Sequence, residues 1–270
     1  MDVFIELMGG SEGAALDSVS AALTSGVHVV TANKALIAEH GAKLALLAEE
    51  QGVGLRFEAA VAGGIPVLKA LQEGLVANHI QRIAGILNGT CNYILTAMDQ
   101  TGADFDVMLQ DAQDKGYAEA DPTFDVDGID AAHKIAILAS MGFGTVPSFK
   151  NVDVSGIRDI TVNDIRYARE LGYVIKLLGI AQRHPDGMDQ RVHLTLVPQN
   201  APLASVNGVD NAVMIDAQPV GRIMLDGPGA GAGPTASAVV SDVADLARGL
   251  IMKPFGRSVS SLDYPEFVTA

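Results

Sequence analysis

The sequence has no tryptophan and only one cysteine, Cys91. A lone cysteine cannot close an intrachain disulfide, so an oxidising compartment is not implied. Nothing beside Cys91 marks a nucleophile, and it reads as a small buried residue. Aromatic residues make up only 5% of the chain. Alanine, valine, isoleucine and leucine must therefore fill the core, which suits an α/β enzyme better than an exposed binding surface. Basic residues are scarce: 18 Lys plus Arg stand against 32 Asp plus Glu, a formal charge of −14. That leaves no excess to neutralise nucleic-acid phosphates or to hold an anionic membrane surface. No apolar run reaches transmembrane length and no basic-then-apolar leader is present, so a soluble cytoplasmic protein is expected. The sequence contains no GxSxG stretch for an esterase and no His/Cys cluster for zinc. His28, His79 and His133 read as structural or solvent-facing.

What is present is enough apolar residue, 49% of 270, for one large or two modest cores. The first part alternates strand and helix. Strands are expected over 3–8, 27–30 and 55–61, and helices over 14–25 and 35–50, the grammar of a parallel sheet. Gly63-Gly64-Ile65-Pro66 breaks this pattern and a helix follows to Gly74. A strand over 80–87, helices over 92–99, 104–115 and 129–141, and strands over 152–157, 174–182, 191–197 and 212–216 read as a second, more mixed domain. The glycine-rich stretch from Gly227 to Pro234 leads into a helix over 235–248.

The stretch GYAEADPTFDVDGIDAAHK, residues 116–134, concentrates the chemistry. Five acids lie between Glu119 and Asp130, and Lys134 follows near the start of an apolar run. Asp127 is expected to cap a helix with Asp130 in its first turn. At about 100° per residue, Asp130 and Lys134 fall about 40° apart on one face of that helix. The helix is apolar nearly all round and so expected to be buried. One reading is an ordinary i,i+4 ion pair, worth about 0.2–0.5 kcal/mol. The other is a sheltered lysine that trades protons with an oxygen while spare carboxylates hold a cationic group on a substrate. Asp121, Asp125, Asp127 and Asp130 lack the spacing of an EF-hand loop, which sets calcium aside.

That stretch resembles the signature of the homoserine dehydrogenase family. ELMGG at 6–10, VVTANKALIA at 29–38, FEAAVAGGIPV at 57–67, GILNGTCNYI at 85–94 and GPGAGAGPTASAVVSD at 227–242 resemble the same family in the same order. The resemblance implies an α/β fold: an incomplete Rossmann-type nucleotide-binding domain, 1–64 with 227–270, and an α+β substrate and dimerisation domain with a mixed sheet, 65–226. The glycine-rich first strand-turn-helix unit is expected to be absent, and the chain to be N-terminally truncated, without a C-terminal regulatory domain.

By the same resemblance the activity is the reversible NAD(P)-dependent interconversion of L-homoserine and L-aspartate 4-semialdehyde, in threonine, methionine and isoleucine biosynthesis. Lys134 resembles the acid/base lysine, Lys34 a second active-site lysine near nicotinamide, and Asp125 a supporting carboxylate. Glu119 and Asp130 resemble the residues that hold the substrate's amino end. Gly10, Lys34, Gly116 and Gly229 match positions near the NAD or NADP cofactor. Glu58, Val61, Gly63 and Ile65 match a monovalent cation site, usually sodium, with Glu58 expected to offer a carboxylate and the others carbonyls. A homodimer is implied. Two other readings stand beside this one: a truncated, non-catalytic assembly module, and a related two-domain dehydrogenase for another amino-acid-like substrate.

Overall fold

The computed structural model describes residues 2–268. Strand β1, Val3–Glu6, leads through a turn holding Gly9, Gly10 and Gly13 at positive φ into helix α1, Ala14–Thr24. Strand β2, His28–Thr31, helix α2, Lys34–Gln51, and strand β3, Leu55–Arg56, complete a first unit. The strands form a parallel sheet in the order β1-β2-β3, with Ile5 beside Val30 and Val30 beside Arg56. Successive side chains of β2 point to opposite faces. Val29 enters a core with Val19 and Leu23 of α1 and Leu36 of α2, while Val30 packs on the other face. Burial on both faces is what an apolar strand in a parallel sheet requires.

This unit corrects the expectation that the chain begins without a glycine-rich strand-turn-helix. Such a unit is present in β1, the Gly9–Gly13 turn and α1, and is held by pairing with β2. The strand expected over 55–61 also shortens to two residues. The backbone turns at Glu58–Ala60, where Asp242 Oδ2 accepts the Glu58 N–H at 2.9 Å and draws it out of the sheet.

Helix α3, Val67–Lys69, widens into a π turn over Ala70–Gly74 and starts the second unit. Strand β4, His79–Ile86, is followed by α4, Gly89–Thr101, α5, Phe105–Asp114, α6, Thr123–Val126, and α7, Ile129–Phe143. Next come β5, Asp153–Val154, α8, Val162–Glu170, and the long hairpin of β6, Tyr173–His184, with β7, Gly187–Pro198. Strands β8, Asp210–Gln218, and β9, Gly221–Pro228, close a six-stranded mixed sheet in the order β5-β7-β6-β4-β8-β9, with only the β5–β7 pair parallel. Helix α9, Ala232–Ala247, returns to the first sheet, where Val239 and Leu246 cover Val30. Among the described residues no helix is long and apolar enough to cross a membrane.

Thirteen of the fifteen residues of α7 are buried, because it lies between the six-stranded sheet on one side and α2 on the other. Each fully buried Ile or Leu there contributes about 1.5–3 kcal/mol of apolar burial. The helix starts where expected, at Ile129, but its cap is not Asp127. Gly128, at φ 84, takes the cap position without a side-chain hydrogen bond, and Asp127 pairs with Arg158 instead. The left-handed backbone there suits glycine, and it aims Asp130 and Lys134 inward rather than along the surface.

Two connections cross between the units and touch each other. Gly64 N–H donates to Pro228 O at 3.1 Å. A Cβ on Gly63 would sit 2.6 Å from Gly229 O, so the outgoing and returning chains approach as closely as glycine allows.

Candidate active site

The ends of β2 and β3, the start of α7 and the loop 116–121 enclose one cleft of about 510 Å³. It lies outside the carboxyl ends of the parallel strands, the place where open α/β sheets bind ligands. Lys34, Asp125, Asp130, Lys134, Glu119, Gly116 and Gly229 all line it. The stretch 116–134 and the lysine after β2, far apart in the chain, therefore face one space. Gly10 is not among the lining residues; its carbonyl accepts Asn33 Nδ2–H at 2.7 Å, which ties the first glycine turn to the start of α2. Glu6, buried at the end of β1, braces the same turn by accepting the Met8 N–H at 2.6 Å and the Thr31 hydroxyl at 2.6 Å.

Asp130 is the hub. Its Oδ2 accepts Lys134 Nζ at 2.7 Å, and its Oδ1 lies 3.0 Å from Lys34 Nζ. Burial would raise its pKa, but the charges of Lys134 and Lys34 outweigh this and hold the carboxyl well below the usual carboxylate range. The Lys134 ammonium also donates to Leu87 O at 2.7 Å. With two of its three N–H groups used, one remains for the cleft. Lys134 is only 10% exposed, whereas Lys34 is 33% exposed and lies 5.3 Å from the Phe124 ring centroid. Lys34 is the first residue of α2, placed by Asn33, whose Oδ1 accepts the Leu36 N–H at 3.1 Å.

Asp125 faces the same cluster from α6. Burial and the charge of Asp130 push its pKa up, while a hydrogen bond from Asn88 Nδ2 at 2.8 Å opposes them. Glu119 lines the cleft as an exposed residue, with its loop steadied where Gln113 Nε2 donates to the Glu119 carbonyl at 3.0 Å. Sequence reasoning missed Asn88 and Thr90. Asn88 lies just before Gly89 at a helix start, an N-cap signal that would have drawn notice to it. Thr90 Oγ1 donates to Tyr117 O at 2.7 Å, which fastens the Glu119 loop to α4.

Ala32, Ala59 and Ala60, which follow β2 and β3, line the cleft, as do Gly116 and Gly229. A Cβ on Gly116 would meet nothing within 4 Å. Side chains no larger than a methyl leave room for a flat ring and fit a nicotinamide. Glu58 does not face the cleft. Its two carboxylate oxygens accept the Leu68 and Lys69 N–H groups, each at 2.9 Å, and burial followed by the charge of Asp242 raises its pKa to about 7. Val61 and Ile65 are buried beside it, and Gly63 lines the cleft. The cluster of Glu12, Glu39 and His40 brings three potential ligand atoms within 4.8 Å of one another on the surface of the first unit.

A parallel sheet whose carboxyl edge opens onto a lysine–carboxylate cluster shared with a second, mixed-sheet domain defines a two-domain α/β protein with a ligand cleft at the edge of its first sheet. The homoserine dehydrogenase family model matches residues 66–244, and that family's NAD-binding domain model matches residues 1–58. The chain belongs to the homoserine dehydrogenase family. The match over 1–58 overturns the expectation that the first strand-turn-helix unit is absent, since it places β1, α1, β2, α2 and β3 in the family's NAD-binding domain.

A homoserine dehydrogenase of Neisseria gonorrhoeae is 53% identical over 248 residues, 92% of this chain and 57% of that protein. One of Bacillus subtilis is 46% identical over 264 residues, 98% of this chain and 61% of that protein. The chain thus spans about three fifths of the length of such curated relatives. The crystal structure of a homoserine dehydrogenase from Thiobacillus denitrificans superposes with a TM-score of 0.96 at 47% identity, over 99% of this chain and 63% of that one. A hyperthermophilic archaeal homoserine dehydrogenase in complex with NADPH superposes with a TM-score of 0.80 at 30% identity, over 92% of this chain and 72% of that one.

Proposed function

We propose that the chain catalyses the NAD(P)-dependent interconversion of L-homoserine and L-aspartate 4-semialdehyde, within threonine, methionine and isoleucine biosynthesis. The observation that carries this reading is Lys134, which lines the same cleft as Glu119 and whose ammonium is held by Asp130 and Leu87 O, leaving one N–H without a protein partner. When bound, the nicotinamide cofactor supplies or accepts the hydride. In reduction, Lys134 gives its proton to the aldehyde oxygen as that oxygen gains the electron pair of the carbonyl bond. In oxidation, neutral Lys134 takes the hydroxyl proton back. Lys34 steadies the negative charge that grows on the same oxygen.

Glu119 grips the substrate ammonium. Both oxygens of Asp130 are engaged by lysines, so Asp130 serves the amino end through its field and the lysine geometry rather than as a free carboxylate. Asp125 supports Lys134. The small-residue wall and Gly116, Gly229 and Lys34 would hold the nicotinamide end, and Gly10 the approach to it; NADP and NAD both suit this wall.

For the monovalent cation, the set Glu58, Val61, Gly63 and Ile65 fits best through main-chain carbonyl oxygens, because the Glu58 carboxylate already accepts two N–H groups. Residues 1–64 with 227–270 act as the nucleotide domain and 65–226 as the substrate domain. A cytoplasmic homodimer paired through the substrate domain is part of this reading.

The test is a steady-state assay with aspartate 4-semialdehyde and either NADH or NADPH. The account expects turnover by the wild-type chain with at least one nucleotide, and loss of about 100-fold or more in a folded Lys134→Met protein. A folded, nucleotide-binding wild-type chain that leaves the semialdehyde unchanged would sink it.

A further inference from the structure

Asn88 stands where three constraints meet. Its Oδ1 accepts the Cys91 N–H at 2.8 Å as the N-cap of α4, which fixes the amide against a flip. Its Nδ2 is thereby turned to two carboxylates at once, Asp125 Oδ1 at 2.8 Å and Asp130 Oδ2 at 2.9 Å. The side chain is buried and lines the cleft. An amide nitrogen carries two hydrogens, so one goes to each acid and neither is left over.

We propose that Asn88 is a positioning residue for the reaction: its amide, locked by the helix cap, sits between Asp125 and Asp130 as a fixed donor that keeps both ionised and so keeps Lys134 seated on Asp130. This rests on the function proposed above. Two carboxylates close together in a buried place repel, and without a donor between them one takes a proton. Asp125 is the one that would, because Asp130 is held by both lysines. A protonated Asp125 would donate to Asp130 and compete with Lys134 for Oδ2, the oxygen on which Lys134 and Asn88 now converge.

The other groups around the pair do not replace that donor. From α4, the Thr90 hydroxyl donates at 2.7 Å to Tyr117 O and only at 3.3 Å to Asp125 Oδ2, without reaching Asp130, and the buried Cys91 thiol, pushed up by burial, donates to the Asp125 carbonyl. From α7, His133 is buried and pushed below its usual pKa by burial. Asp127 is paired with Arg158, Lys34 with Asp130, and Glu119, a carboxylate, offers no donor.

Serine and aspartate separate this role from simple capping, because both keep an oxygen that accepts the Cys91 N–H. Asn88→Ser can serve at most one carboxylate, and Asn88→Asp adds a third negative charge. A capping role alone predicts that both variants match the wild type. The proposal predicts that the acid limb of the kcat/KM profile moves to higher pH by about one unit in Asn88→Ser and further in Asn88→Asp, from the loss of a hydrogen bond to a charged group. The nucleotide KM stays unchanged.

NMR titration of labelled aspartate carboxyls gives a readout independent of turnover, and the Asp125 midpoint should rise in Asn88→Ser. Should the wild type fail to turn over the semialdehyde, the functional reading falls while this titration still decides the Asn88 question. A folded Asn88→Ser protein with an unshifted Asp125 midpoint and a wild-type profile would overturn the proposal.

Discussion

Asp130 Oδ2 lies 2.7 Å from Lys134 Nζ, and the other oxygen of the same carboxylate lies 3.0 Å from Lys34 Nζ. One buried acid thus joins a lysine of the mixed-sheet unit to a lysine that follows a strand of the parallel sheet. The ordinary i,i+4 pair considered from the sequence is there, but it is buried and tied across the cleft, so its loss reaches further than a surface pair's would.

Asp130→Asn should therefore both destabilise and inactivate. Removing the charge leaves a buried ammonium without its counter-ion, a loss of about 2–4 kcal/mol once the partial exposure of Lys34 is allowed for. Because the Asp130 carboxyl is held below its usual range, its stabilising effect is present above the unfolded-state pKa near 4 and is lost as pH falls toward the folded-state value. Urea unfolding of wild type and Asp130→Asn should differ most near neutrality, and the gap should narrow as pH is lowered below about 4. A gap that widens in acid would contradict the assignment.

Glu119→Gln should separate binding from chemistry. Glu119 is exposed, lines the cleft and makes no ion pair with Lys134 or Lys34. Losing one charge-assisted bond to the substrate ammonium should raise the KM for homoserine by about 10–100-fold, with kcat changed far less. Steady-state kinetics with varied homoserine measures the split; a fall in kcat at constant KM would reassign the residue.

Lys176 offers a test of stability away from the cleft. It is buried in β6, and its Nζ donates to Asn92 Oδ1 at 2.9 Å and to Val206 O at 2.6 Å, holding the segment that leads to Asn211 in the cleft wall. Burial pushes its pKa down to about 8 from the model-compound value of 10.5. Between those values the unfolded chain binds more protons than the folded one, so folding gains stability as pH rises through that window. Lys176→Met should flatten this dependence. Thermal melts of both proteins from neutral to alkaline pH measure it, and parallel curves would contradict the expected contribution.

How much was legible beforehand follows from the range of the forces. The strands around Val29 and Val30, helix α7 and the Asp130–Lys134 pair are written in local periodicity, and each formed where expected. Strand β9 has no expected counterpart in the sequence analysis, because its pairing with β8 is set by a partner strand and not by a local pattern. Helix α8 is not among the expected elements, although Thr161 and Asp164 form a capping box at its start. The π turn at Ala70–Gly74 has no local signature. The cleft itself was only half visible: Lys134 and Glu119 share one stretch, but Asn88 and Lys34 reach it through sheet topology, and topology also decides that Asp130 faces two lysines rather than open space.

Chemical rescue of Lys134→Ala tests the account most directly. Removing the side chain leaves a gap between Leu87 O and Asp130 Oδ2 that a small primary amine can fill. The account predicts that added alkylamines restore turnover of the semialdehyde in a concentration-dependent way, with a rate that tracks the acidity of the alkylammonium ion. A Lys134→Ala protein that turns over as fast as the wild type without any amine would show that the proton takes another route.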